Sequence, residues 1–316
     1  MAVVKLMLSK VERSKMGLST VDLFKKLKFS DDKYIHLDGD LLRKYQLCLL
    51  DIMKDIVEVC ENENIYYSLS GGSALGAIRH KGFIPWDDDM DIFILGSQRE
   101  LFLKKFEEKF GDKYWIHSSH TVDYGMPIGR IRQKGTILRG REDVDIEECG
   151  FFIDIFWLEN APNSVAIRNI HGILCMGTGL LLSCRNFYKN RILMKDIMKE
   201  HKQVRTIFHI KMCLGFLTSF FSLKTWTIIT ENIYSMCKDD NSKYLTVPSG
   251  RKHYFGELFL REDMGETRKV DFEGYKWNVP RNVEKYLKVM YGDYMQVPAV
   301  EDRESHIILE IKFPEE

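Results

Sequence analysis

The chain has 316 residues, 45% hydrophobic and 29% charged, with 46 Lys/Arg balanced by 46 Asp/Glu. This is the make-up of a folded protein rather than a disordered one, and zero net charge excludes the protein-wide basic field of a nucleic-acid binder. The seven cysteines include no C-x-x-C spacing, which excludes a zinc ribbon or thioredoxin-like motif and fits a reducing, cytoplasmic compartment.

Residues 1–37 are polar and weakly patterned and read as an N-terminal extension; Met1 to Lys10 lacks the apolar core of a signal peptide. Asp38 or Asp40 caps a predicted helix to about Asn62, because Leu42, Tyr45, Leu49, Ile52, Met53, Ile56 and Val59 recur at helical spacing. A short strand, Tyr66–Leu69, leads into the turn Ser70-Gly71-Gly72-Ser73 and a brief helix to Ile78. Met90–Leu95 reads as the next strand and Gln98–Phe110 as a helix. Tyr114–His117, Ile128–Gln133 and Phe151–Leu158 read as further strands. The alternation defines a core domain over residues 38–160, of α+β class, with a mixed sheet flanked by helices.

Residues 161–240 read as a mainly helical insert. Its most apolar stretches, Gly172–Ser183 and Met212–Leu223, are each shorter than the ~20 residues that span a bilayer. From Arg185 to Lys211, eight Lys/Arg stand against Asp196 and Glu200. Two readings of 185–211 stay open: a helix with a solvated charged face, or a peripheral contact with an anionic membrane. Residues 241–316 form a C-terminal region expected to complete the site, with Trp277, a helix near Val283–Met290, the run Tyr291-Gly292-Asp293-Tyr294 and a polar tail.

The run Trp86-Asp87-Asp88-Asp89-Met90-Asp91 carries the chemistry. Residues two apart on a strand share a face, so Asp89 and Asp91 project together while Met90 and Ile92 turn into the core. Two convergent carboxylates repel unless a cation lies between them. All-oxygen donors suit Mg²⁺, with Mn²⁺ as a substitute, and such an ion neutralises charge at a phosphoryl centre. Asp154, alone in an apolar strand, is the expected third carboxylate, as metal ligand or as general base on an acceptor hydroxyl. Gly72 and Ser73, at a helix start, offer backbone N–H groups and a hydroxyl to a phosphate. Arg79, His80 and Lys81 either balance diphosphate charge or form a solvated basic loop. Arg130 and Arg132 share a strand face and either reach the nucleotide or form salt bridges. His253, Arg303 and His306 are candidates for the acceptor side.

The stretch from Tyr67 to Asp91, with Gly71-Gly72-Ser73-Ala74-Leu75-Gly76-Ala77-Ile78-Arg79-His80-Lys81-Gly82-Phe83-Ile84-Pro85-Trp86 before the acidic run, closely resembles the LicD family signature. Weaker similarity continues through Arg130-Ile131-Arg132, Phe152-Ile153-Asp154-Ile155-Phe156 and Tyr291-Gly292-Asp293-Tyr294 to Arg303 and His306. The resemblance implies a nucleotidyltransferase-like core and transfer of a phospho-alcohol, commonly phosphocholine from CDP-choline, onto a hydroxyl of a cell-surface or lipid-linked glycan. It implies Gly72 and Ser73 as phosphate contacts, and Asp89, Asp91 and Asp154 as the Mg²⁺ carboxylates. Nucleic acid is not among the implied partners, and the place of action would be the cytoplasm, at the inner face of the membrane. The alternative on the same fold is transfer of NMP from an NTP to a small molecule or protein. Trp86, Tyr124, Trp157 and Trp277 are the aromatic candidates for a choline cation, each also readable as core.

Overall fold

The computed structural model describes residues 35–121, 125–140, 143, 146–191, 205–303, 306 and 308–314. The N-terminal extension up to residue 34, Tyr124 and residues 192–204 of the basic stretch lie outside the described residues.

Helix α1 (Gly39–Asn62) forms where the helical spacing predicted it. Tyr45, Leu49, Ile52, Met53 and Ile56 are fully buried along one face, and each such side chain contributes about 1.5–3 kcal/mol of burial. Strand β1 (Tyr67–Leu69), helix α2 (Gly71–His80), strand β2 (Asp91–Leu95) and helix α3 (Arg99–Phe110) follow. Next come β3 (Tyr114–His117), β4 (Gly129–Gln133), β5 (Ile137–Gly140) and β6 (Phe152–Ala161).

The main sheet has the order β1-β2-β6-β4-β3. Only β2 and β6 are parallel; β1, β4 and β3 join antiparallel. The chain is therefore an α+β protein with a mixed sheet. The parallel pair needs a long crossover, supplied here by α3 and the strands β3 to β5. Ile92 and Ile94 of β2 and Ile153 and Ile155 of β6 are fully buried in the same core as α1.

The helical insert consists of α4 (Val165–Lys189), α5 (Arg205–Leu217) and α6 (Leu223–Tyr234). Here the sequence reading is corrected. The apolar stretch after Gly172 belongs to a 25-residue helix that is long and apolar enough, by length and composition, to cross a membrane. Met212–Leu223 is not one helix, because α5 ends at Leu217 and α6 begins at Leu223 behind a Ser222 cap that accepts from the Thr225 amide.

The C-terminal region is woven into the core. Strand β7 (Tyr244–Thr246) pairs with the far half of β6. After α7 (His253–Gly256), β8 (Leu258–Leu260) pairs with β7, and α8 (Arg261–Met264) follows. Strands β9 (Thr267–Phe272) and β10 (Tyr275–Pro280) form a hairpin whose turn puts Glu273 at φ 51° and Gly274 at φ 84°. Glu273 tolerates that conformation because it is tied down: its amide donates to the Lys81 carbonyl, and its carboxylate accepts from the Phe83 amide and from Arg43. Helix α9 (Val283–Tyr291) precedes β11 (Ile308–Lys312), which pairs with β5. The polar tail read from sequence is thus partly a strand, and buried Ile308 anchors it.

Candidate active site

The site forms where the C-terminal half of the acidic run enters β2 beside the start of α2. Ser73 is buried, and its hydroxyl accepts a hydrogen bond of 2.9 Å from the Asp91 amide. The Ser70 amide donates to the Asp91 carbonyl at 3.0 Å. These two bonds clamp the helix start to the first residue of the strand. Gly71 takes φ +50°, and a Cβ there would stand 3.1 Å from Asp91 Oδ2. A Cβ on Gly72 would stand 2.6 Å from Asp87 Oδ2. Both glycines therefore exist to let carboxylates approach the backbone. The Gly71 amide is taken by the Tyr286 hydroxyl at 2.9 Å. The next amides, of Gly72 and Ser73, belong to the first helical turn, whose N–H groups lack intrahelical acceptors.

Asp91 and Asp154 are direct partners in the parallel register of β2 and β6, where neighbouring strands lie about 4.8 Å apart. Burial first, then the charges of Asp89, Asp154 and Asp87, push the Asp91 carboxyl well above the usual carboxylate range. Met90 and Ile92 are buried on the opposite side, as the alternation requires. Asp88 turns away from this group. It accepts from the His306 amide at 2.9 Å and pairs with His306 Nδ1 at 2.7 Å, while His306 Nε2 stands 3.8 Å from Asp89 Oδ2. Burial opposes charge on the His306 imidazole, but the bond to Asp88 and the Asp88, Asp89 and Asp91 charges outweigh it and raise its pKa.

The basic residues expected at a nucleotide are placed differently. Arg130 grips Asp154 with two bonds, Nε to Oδ1 at 2.5 Å and Nη2 to Oδ2 at 2.8 Å, and lies 3.9 Å over the Phe152 ring. Arg132 is completely buried and pairs with Asp143 at 2.7 Å, the salt bridge that was one of its two open readings. Lys81 caps α2 in the left-handed conformation, about 13 Å of helix beyond Gly72. That distance argues against its touching the same phosphate. Arg79 donates to the carbonyls of Tyr294 and Gln296, and so ties down the loop after α9. Among the aromatics, Trp157 and Trp277 are buried. Trp86 carries Arg303 over its ring at 3.9 Å.

Several residues at the site carry no local signal in the sequence. Tyr291, at the end of α9, feels the charges of Asp91, Asp87 and Asp89, which with burial raise its phenol pKa. Arg251, before α7, acts on that phenol in the opposite sense. Gln46 of α1 donates to the Asp87 carbonyl at 2.9 Å. The Tyr45 hydroxyl is buried and has no hydrogen-bond partner among the described residues, although the charges of Asp88, Asp89, Arg132 and Arg130 reach it. A spacing rule finds none of these, because each arrives from a distant element.

The donor set fits a hard divalent cation in part. Asp89 and Asp91 supply oxygens in an environment where burial and neighbouring carboxylates raise the Asp91 pKa, a combination that a bound cation would relieve. Asp154 is already matched by Arg130. Among the described residues, no three Asp, Glu, His or Cys side chains converge as a ready-made metal cage.

The site thus joins a Gly-Ser helix start, clamped to an acidic strand, with a further aspartate in register on the next strand. Residues 64–163 match the family model described as LicD/FKTN/FKRP, nucleotidyltransferase domain. Beyond that domain, the chain is 28% identical over 294 residues to the lipopolysaccharide cholinephosphotransferase LicD of Haemophilus influenzae, covering 85% of this chain and 97% of that protein. It is also 37% identical over 84 residues to the uncharacterized protein RP689 of Rickettsia prowazekii, covering 25% of this chain and 31% of that one. The chain is thus similar to the LicD/FKTN/FKRP group across residues 64–163 and, at lower identity, to a lipopolysaccharide cholinephosphotransferase over most of its length.

Proposed function

We propose that this protein transfers a phospho-alcohol, phosphocholine foremost, from a CDP-activated donor to a hydroxyl of a cell-surface glycan, releasing CMP. The observation that carries the proposal is the alignment of Asp91 with Asp154 beside the Gly71–Ser73 helix start. The relative of this length that acts as a lipopolysaccharide cholinephosphotransferase supports the choice of phosphocholine and of a lipopolysaccharide-type acceptor.

In this reading Asp89 and Asp91 hold Mg²⁺, which supplies positive charge to the diphosphate and its leaving group. The Gly72 and Ser73 amides, at the positive end of α2, would donate to a phosphate oxygen. Ser73 fixes Asp91 through its amide, so the strand carboxylate and the helix start keep one geometry during turnover. Arg130 uses one lone pair on each Asp154 oxygen. The remaining lone pairs can accept the proton of the attacking hydroxyl. His306, held by Asp88, places a cationic group beside Asp89.

Incubation with CDP-choline, CDP-glycerol, CDP-ribitol and each NTP, with Mg²⁺ and a glycan acceptor, tests the proposal. CMP release from a CDP-alcohol supports it. Pyrophosphate from an NTP with no CMP would overturn it in favour of NMP transfer.

A further inference from the structure

We propose that the outer face of α4, together with the turn after α5, docks on an anionic phospholipid bilayer. The inference goes beyond the transfer reaction and stands on separate observations. Only 22% of the apolar 18-residue window of α4 is buried. Ile170, Ile173 and Leu174 lie outward, at 60%, 65% and 42% exposure. Further along the same side of the helix, about four turns on, Cys184 is covered by Gly215 of α5. Helix α5 then ends in exposed Phe216 and Leu217, with Phe220 in the turn beyond. Large apolar side chains are therefore exposed both along the first half of α4 and at the end of α5, more than the scattered exposed hydrophobics of an ordinary surface.

Two features identify the occupant. The first is charge. Between Asn160 and Thr230 the chain has ten Lys/Arg against Asp196 and Glu200, within a protein of zero net charge. An apolar face in a strongly basic segment matches a lipid surface that offers acyl chains and anionic headgroups together. The second is continuity with the site. Gly172 of α4 packs on the ring of Phe255, which is itself half exposed. Four residues before Phe255, Arg251 carries a charge that acts on the Tyr291 phenol, which also feels the aspartates. Docking along α4 would hold the protein at the bilayer surface, where a lipid-linked acceptor would be presented.

Helix α4 lies on the membrane and does not cross it. His171 bonds the Ile233 carbonyl of α6 at 2.8 Å, the Tyr234 hydroxyl reaches the backbone at Gly179, and Leu182 packs with Leu223 and Trp226. A spanning helix would have to abandon these contacts along its whole length.

The test is sedimentation of the full chain with vesicles of phosphatidylglycerol and phosphatidylcholine in equal parts, and with phosphatidylcholine alone. Wild type should partition at least about ten-fold better to the anionic vesicles, with added salt weakening binding. The double variant Ile170→Glu/Ile173→Glu should lose at least about ten-fold of that binding while keeping its melting temperature and its CMP release. Wild type that stays in the supernatant at low salt overturns the proposal, as does a double variant that binds like wild type. A solution dimer split by the same substitutions, without vesicle binding, would assign the face to a second copy and overturn it too. Asp89→Asn should bind vesicles normally, so failure of the transfer reading leaves this result standing.

Discussion

Arg130 and Asp154 are directly opposed on β4 and β6, and the guanidinium takes both oxygens of the carboxylate. Side-chain exposures of 11% and 15% make this a largely buried pair. Its value lies less in net stability than in charge balance. Without Arg130, Asp154 would add an unmatched charge to the group that already holds Asp87, Asp89 and Asp91. Arg130→Met should therefore destabilise the fold by about 3 kcal/mol, with part recovered by millimolar Mg²⁺. Arg130→Met/Asp154→Asn should lose less than the sum of the single variants. Additive losses in denaturant melts would contradict the pairing.

The crowding of carboxylates at Asp91 predicts opposite effects on activity and stability. Asp89→Asn and Asp91→Asn should each lower turnover at least about 1000-fold, because each removes a charged oxygen donor from the phosphoryl site. Asp91→Asn should also raise the melting temperature in metal-free buffer, by the equivalent of about 1 kcal/mol or more, since the native carboxyl is held charged only against burial and its neighbours. A less stable Asp91→Asn protein would show that the repulsion is already relieved.

At the helix start, steric and hydrogen-bond effects separate. Gly72→Ala meets Asp87 Oδ2 at 2.6 Å and should displace that carboxylate. Turnover should fall at least about ten-fold, with a stability loss of about 1–3 kcal/mol from overpacking. Ser73→Ala leaves the Asp91 amide without its acceptor, at a cost of about 1–2 kcal/mol. Ser73→Ala should reduce kcat while the affinity for the acceptor holds, as steady-state kinetics would show.

A pH signature should come from His117 rather than from the aspartates. Burial first, then Arg132 and Arg130, pull its pKa down to about 4, against the bond from Glu148. The unfolded imidazole titrates at about 6.5. Its contribution to stability is thus fully present above about pH 6.5 and is lost as pH falls through 4, because the unfolded chain binds the proton first. The stability gap between wild type and His117→Gln should shrink or reverse from pH 7 to pH 4.5. A gap independent of pH would place the histidine in a different protonation state.

Much of the core was legible because its signals are local. Strand Tyr114–His117 has the predicted bounds, and α1, α3 and α9 lie within a residue or two of theirs. The strand itself begins only at Asp91, so the alternation that was expected to pair Asp89 with Asp91 does not extend to Asp89. Residues brought together over long separations were not legible. Nothing in the local pattern places β2 beside β6, or sends β11 back to β5. Arg132 looked like Arg130 in sequence, yet one pairs at the site and the other in the core, because Asp143 and Asp154 sit at different depths. The apolar side of α4 was hidden by its interruptions, Arg168, His171 and Gly172, which turn inward or pack against Phe255 and α6.

The bond between Asp88 and His306 joins residues 218 positions apart. A chain emerging from the ribosome can build α1, β1, α2 and β2 early, since those contacts are close in sequence. It cannot hold the acidic loop in its final shape until residue 306 has emerged. Nascent chains therefore carry the aspartates without the histidine that restrains them until residue 306 has been made.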